Sequence, residues 1–311
     1  MVIGESPLKD LYRRVVWGPY REILERGPHG WEYRVNRRLG LLVARAARGK
    51  VAEVEANLRR AFPDRTDLAA VARETMGTHF VNQYASFAFG RVDTENWQTY
   101  LRFEGYAHVE AARAAGQGLV LVHPHMGPAQ LPLCVLGVLG HEVHQIGGGE
   151  PAVDKSEVGR WATQKRHDLE ARMPVHLHQG GGYLRGLLRA LGKGAIVLTA
   201  GDGTGGGSEI GRRLVRRVCG QPMGVPVGGF YMAYRAKARL HSLHTVRDPE
   251  RRGRYLSVIG PAAPVRLDLP LEGALEAGAD WTAAYLTRVL TAHPGEWHFW
   301  DGFAPGGLID G

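Results

Sequence analysis

The sequence predicts an α/β fold: a mostly parallel central sheet flanked by helices and preceded by an N-terminal helical layer. Three observations lead there. From residue 105 onward, short apolar runs such as "LVLVH" and "AIVLTA" alternate with helix-length segments, the pattern of a parallel sheet wound with helices. The first 100 residues instead carry long stretches of strong helix formers. Glycine is abundant, at 43 of 311 residues, and many glycines fall between 116 and 230, as tight turns and close backbone approaches require.

The N-terminal layer opens with "LKDLYRRVVWGPYREILERG", apolar and basic residues at helical spacing, with a break at Gly18-Pro19. "RVNRRLGLLVARAARGKVAEVEANLRRAFP" runs as helix to Pro63, and Asp67 is placed to cap the helix that starts at Leu68. The core follows in order. "EGYAHVEAARAAGQG" is a helix with a glycine stop, "LVLVH" a buried strand, "PAQLPLCVLGVLG" a helix and "HEVHQIG" a strand. "EVGRWATQKRHDLEARM" is helical, "VHLHQ" alternates as a strand, and "GGYLRGLLRALGKG" is a helix leading into the strand "AIVLTA". "ARLHSLHTVRD" and "GRYLSVIG" are strands, and "WTAAYLTRVLTAHP" is a helix near the C-terminus. No internal repeat or charged linker divides the chain. Residues 1–100 form the helical layer and 101–311 the α/β core of one structural domain.

Charge and cysteine content narrow the function classes. Of a net charge of +8, residues 1–60 hold 13 Lys/Arg against 7 Asp/Glu, and "GRRLVRR" adds Arg212, Arg213, Arg216 and Arg217. Such surface suits phosphate-bearing partners, anionic lipid or an acidic carrier protein, although a solvated arginine face has the same composition. No nucleic-acid-binding module stands beside these arginines. The basic N-terminal helices could cover the sheet or touch a membrane surface. Cys134 and Cys219 sit among apolar neighbours, as reduced thiols of a cytoplasmic protein do. No signal-like segment or membrane-length apolar run is present.

In a parallel sheet, function gathers at the carboxyl ends of strands. His125 follows "LVLV" closely, beside His123 and the Gly127-Pro128 bend, and is placed to act as a general base. Gln130 lies five positions on. The second loop, "TAGDGTGGGSE", offers Asp202, Gly203 and Thr204 after "AIVL". It matches neither a P-loop nor a dinucleotide fingerprint. Two His-x-His pairs, 123/125 and 176/178, each point to one side of a strand and could ligate a metal. With no carboxylate or cysteine at a suitable spacing, the expectation is no metal site.

Five blocks carry a resemblance over most of the chain: "EANLRRAFPD" (55–64), "FEGYAHVEAARAAGQGLVLVHPHMGPAQ" (103–130), "GGYLRGLLRALGKGAIVLTAGDGTGG" (181–206), "GVPVGGFYMAYRAKA" (224–238) and "AHPGEWHFWDGF" (292–303). In this order they resemble the lysophospholipid acyltransferase superfamily, nearest the bacterial lipid A lauroyl/myristoyl acyltransferases and the phosphatidylinositol mannoside acyltransferases. The resemblance implies a glycerolipid acyltransferase-like fold and a His-x4-Asp/Glu dyad. The histidine would deprotonate an acceptor hydroxyl, which attacks the thioester of an acyl-coenzyme A or an acyl or peptidyl carrier protein. These thioesters are co-substrates, and no bound cofactor is implied.

Mapped onto this chain, the histidine falls on His125 and the carboxylate on Gln130. The phosphate or acyl-donor block falls on Asp202-Gly203-Thr204, and the tryptophan block on Trp297 and Trp300. "HMGPAQ" stands where "HFGNWE" is typical, and "HQIGGGE" lacks the arginine common after the next strand. An amide can set the histidine tautomer but cannot offset an imidazolium charge. Three explanations stay open. Asp202, Glu150 or Asp168 could replace the carboxylate in space, the reaction could be easier than acyl transfer to an alcohol, or the site could be inactive.

The expected catalytic set is His125, Gln130 and Asp202, with His123, Gly127, Gly203, Thr204, Arg212 and Arg213 on the substrate side. The expected function is acyl transfer to a hydroxyl or amine, with the acceptor a soluble intermediate of specialised metabolism, by an enzyme that is cytoplasmic or peripheral on the membrane. The competing expectation is a repurposed scaffold, either a lone-histidine catalyst of cyclisation or elimination or a non-catalytic partner subunit.

Overall fold

The computed structural model describes residues 6–146, 155–178, 182–203 and 211–309. Seven helices make the N-terminal layer: α1 (Pro7–Val15), α2 (Arg21–Arg26), α3 (Trp31–Ala46), α4 (Arg48–Ala61), α5 (Leu68–Gln83), α6 (Ser86–Phe89) and α7 (Trp97–Tyr100). The break expected at Gly18-Pro19 is present: Gly18 leaves the helical region with φ −105° and ψ −112°. Asp67 is the N-cap residue of α5, as expected, but its side chain makes no cap hydrogen bond. Its carboxylate takes both Arg65 N–H groups instead, a charge-assisted pair that outcompetes a backbone cap.

The core continues with β1 (Leu101–Glu104), α8 (Ala107–Ala114), β2 (Leu119–His123), α9 (Leu131–Val138), β3 (Val143–Ile146), α10 (Glu157–Glu170), β4 (His176–His178), α11 (Leu184–Leu191) and β5 (Ile196–Ala200). A hairpin, β6 (Arg213–Val218) and β7 (Gln221–Pro226), is followed by α12 (Gly228–Ala236), β8 (Arg239–Arg247), β9 (Tyr255–Ala262) and α13 (Leu271–Ala292). The main sheet has the order β1-β9-β8-β2-β5-β3-β4, parallel except for β8 against β9.

The continuous apolar run of β2 follows from its place in the middle of this sheet. Val120 and Val122 pack with Val197, Leu187 and Phe230 on one face. Leu119 and Leu121 pack with Ile196, Leu198 and Leu133 on the other. Both faces are covered, so alternation disappears. Each fully buried aliphatic side chain contributes about 1.5–3 kcal/mol.

The basic hairpin is a cover element. Arg212 pairs with Glu272, and Arg216 with Glu276 and Asp280, all on α13. Cys134 and Cys219 are buried free thiols, each pushed up to about 12 by burial. Among the described residues, no helix is long and apolar enough to cross a membrane.

Candidate active site

The register of two central strands builds the site. β2 and β5 run parallel with His123 opposite Ala200. Each chain then continues two residues past the sheet, so His125 and Asp202 emerge side by side. The His125 ring Nδ1 lies 2.8 Å from Asp202 Oδ1, and the His125 backbone N–H donates to Oδ2 at 2.7 Å. A third donor comes from the far end of the chain, where the Trp297 indole N–H reaches Oδ2 at 2.7 Å.

Asp202 is fully buried. Burial alone raises a carboxyl pKa. Here the His125 ring and the hydrogen bonds from His125 and Trp297 outweigh it, and the Asp202 pKa lies below its ordinary value. A carboxylate accepts and cannot donate, so Nδ1 carries the proton and the lone pair sits on Nε2. The His125 side chain keeps a quarter of its surface exposed, and its ring lies against Phe299 at 4.5 Å between centroids. An imidazole held by a buried carboxylate and open on one side is an arrangement that can serve as a base with its orienting acid.

The turn after β2 depends on Gly127, whose φ is +53° and whose absent Cβ would meet the Thr245 carbonyl oxygen at 3.0 Å. Its N–H donates to the Glu296 carbonyl. Glu296 is in turn paired with Arg247, which also holds Glu74. The segment from Pro294 to Trp300 is thereby fastened over the histidine. From the N-terminal layer, Thr78 donates to the Gly295 carbonyl at 2.7 Å, and Asn57 donates to the Trp300 carbonyl at 2.8 Å.

Several sequence expectations are corrected. Gln130 does not orient His125: its amide donates to Gln145 at 3.4 Å, and Asp202 occupies the Nδ1 side of the ring. The physical reason is position, because Gln130 is the residue before α9, whose start turns its side chain toward β3. His123 is buried, with Nδ1 against the Pro124 carbonyl at 3.0 Å, so it presents no surface to a substrate. The Gly127 N–H is occupied within the protein. Asp168 accepts from Gln164 on the exposed face of α10.

Gly203, with φ +87°, lies beside the Arg213 guanidinium, 3.8 Å from where its Cβ would be. Arg212 is paired with Glu272. Thr204 and Glu150 fall outside the described residues. Sequence reasoning placed Trp297 in the resemblance but missed its bond to Asp202. The buried His298 was missed altogether, although it follows Trp297 directly.

Burial drives the His123 pKa down to about 4 and that of His298 well below its ordinary value. The His298 ring stands edge-on to His125 at 5.7 Å. Kept neutral, these neighbours add no repulsion when His125 takes a proton. Stability carries the cost. A histidine whose folded pKa is depressed is stabilising in full above its unfolded value near 6.5, and the effect is lost as pH falls toward the folded value. Depressed Asp202 acts in the same direction at lower pH. Unfolding free energy measured in urea should therefore fall by about 1–3 kcal/mol through His123 between roughly pH 6.5 and 4, with His298 acting in the same direction. Equal stability at pH 7.5 and 4.5 would contradict this account.

Two comparisons bear on identity. Comparison with curated proteins gives no match. The family model described as bacterial lipid A biosynthesis acyltransferase matches residues 21–301, a stretch that takes in α3 to α13 together with His125, Asp202 and Trp297. With most of its length matched, the chain belongs to the bacterial lipid A biosynthesis acyltransferase family.

Proposed function

We propose that the protein transfers an acyl group from a coenzyme A or carrier-protein thioester to a hydroxyl or amine acceptor, with His125 as general base and Asp202 as its orienting acid. The bond between His125 Nδ1 and the buried, triply donated Asp202 carboxylate carries this reading. It returns to the site the negative charge that Gln130 does not supply.

In the proposed step the acceptor O–H or N–H gives its proton to His125 Nε2 as the oxygen or nitrogen attacks the thioester carbonyl carbon. The carbon–sulfur bond breaks, and the departing thiolate takes the proton back from the imidazolium. Asp202 stabilises the charged ring during the interval without itself taking the proton. Arg213, whose guanidinium lies near Gly203, is the arginine of the hairpin placed to meet a phosphate of the donor.

The test is free-thiol release from a panel of acyl-coenzyme A and acyl-carrier thioesters with candidate acceptors. Wild-type turnover should vanish in His125→Ala. Gln130→Glu should stay within about threefold of wild type, because residues outside one hydrogen-bond network act independently. No release with any donor, or release unchanged in His125→Ala, would overturn the proposal. A large gain in Gln130→Glu would show that Asp202 does not act as the orienting acid.

A further inference from the structure

Away from the His125 site, the edge of the sheet gathers a second set of chemistry-bearing side chains. β3 and β4 are parallel with His144 opposite His176 and Ile146 opposite His178. Residues at period two share a face, so Glu142, His144, His176 and His178 all project to the same side of the two outermost strands. The His144 ring stacks on His176 at 4.7 Å and on His178 at 5.2 Å. Its Nε2 is 3.1 Å from Glu142 Oε1, and its Nδ1 is 2.9 Å from His178 Nε2. One ligand atom from each of Glu142, His144 and His176 lies within 4.8 Å of the others. The carboxylate missing from the sequence spacing is thus supplied by Glu142, through strand register.

We propose that Glu142, His144 and His176 bind a zinc-like divalent cation, with His178 orienting His144. Two imidazoles and a carboxylate are a donor set that zinc accepts. Ligand atoms in a tetrahedral site sit about 3.3 Å apart, so modest side-chain rotation closes the present spacing. His178 supplies what a ligating histidine needs behind it: a partner for the ring nitrogen that does not face the metal. If His144 Nδ1–H donates to His178, the Nε2 lone pair faces a carboxylate that is also an acceptor, and a cation resolves that contact. Glu142 and His176 are exposed and give the ion an entry path, while His144 is mostly buried and anchors the site. A bound ion would clip β4, a three-residue edge strand, to β3.

The experiment uses untagged full-length protein stripped with a chelator and titrated with zinc chloride by calorimetry, with cobalt(II) absorption as a second readout. The expected result is about one equivalent bound at micromolar affinity or tighter, with the intense visible bands of a four-coordinate site. His144→Gln and His176→Gln should abolish that binding. His178→Gln should weaken it by about 10–100-fold, as loss of an orienting partner does. His176 is exposed, so its variant should keep the wild-type circular dichroism spectrum. Stoichiometric binding that disappears in both ligand variants supports the site. Binding weaker than about 100 μM, or equal in wild type and His176→Gln, overturns it in favour of a metal-free relay from His178 through His144 to Glu142.

Discussion

Asp202→Asn is expected to lower kcat for thioester turnover by about 10³–10⁴ with little change in KM, close to the loss from His125→Ala. The geometry specifies why an isosteric change does so much. Asp202 Oδ2 accepts two N–H groups, from the His125 backbone and from Trp297. In the variant, the amide oxygen must take that place, because two donors cannot face an NH₂ group. The new NH₂ then occupies the Oδ1 position and points at His125 Nδ1. The ring has to accept there, its proton moves to Nε2, and the lone pair that should receive the acceptor proton is gone. The variant stays folded, since the replacement has nearly the same volume, and the His125→Ala/Asp202→Asn double variant should be no slower than His125→Ala. A decrease of less than about tenfold would show that the tautomer is set by something else.

Trp297→Ala should cost about 3–5 kcal/mol of unfolding free energy, read from urea denaturation. The side chain is fully buried and stands edge-on to Trp300 at 4.6 Å and to Phe303 at 5.9 Å. Removing it empties the junction between the C-terminal segment and the core. Trp297→Phe separates packing from chemistry: most of the apolar volume remains, but the N–H donor to Asp202 is lost. One charge-assisted hydrogen bond is worth about 1.5–3 kcal/mol, so kcat in Trp297→Phe should drop roughly 10–100-fold. An unchanged kcat in that variant would confine Trp297 to packing.

The sheet was legible because its strands are short apolar runs between strong helix formers, a signal carried by neighbouring residues. The position of His125 just beyond a buried strand was legible for the same reason. Its acid was not. Asp202 is 77 positions away, and only the β2–β5 register makes it a neighbour. The resemblance therefore placed the partner on Gln130, and Asp202 entered the expected set without its contact to the ring. Glu142 was hidden in the same way, because its relation to His176 needs the pairing of β3 with β4. Asp67 is a mixed case: the local signal gave the N-cap residue of α5, but its carboxylate turns to an arginine two residues away. Local pattern predicts elements well, whereas contacts between elements depend on register, which composition does not encode.

The seating of Trp297 on Asp202 has a consequence in time. The chain leaves the ribosome from its N-terminus, and domains fold as their residues become available. His125 and Asp202 emerge well before Trp297, so the carboxylate at first lacks its indole donor and the cover of residues 294–300. A chain not yet made to Trp297 would hold a histidine and an acid that are wet, loosely aligned and poor at taking a proton from an acceptor. On the proposed reading, the site is completed only when residues 294–300 have been made and Trp297 is seated on Asp202.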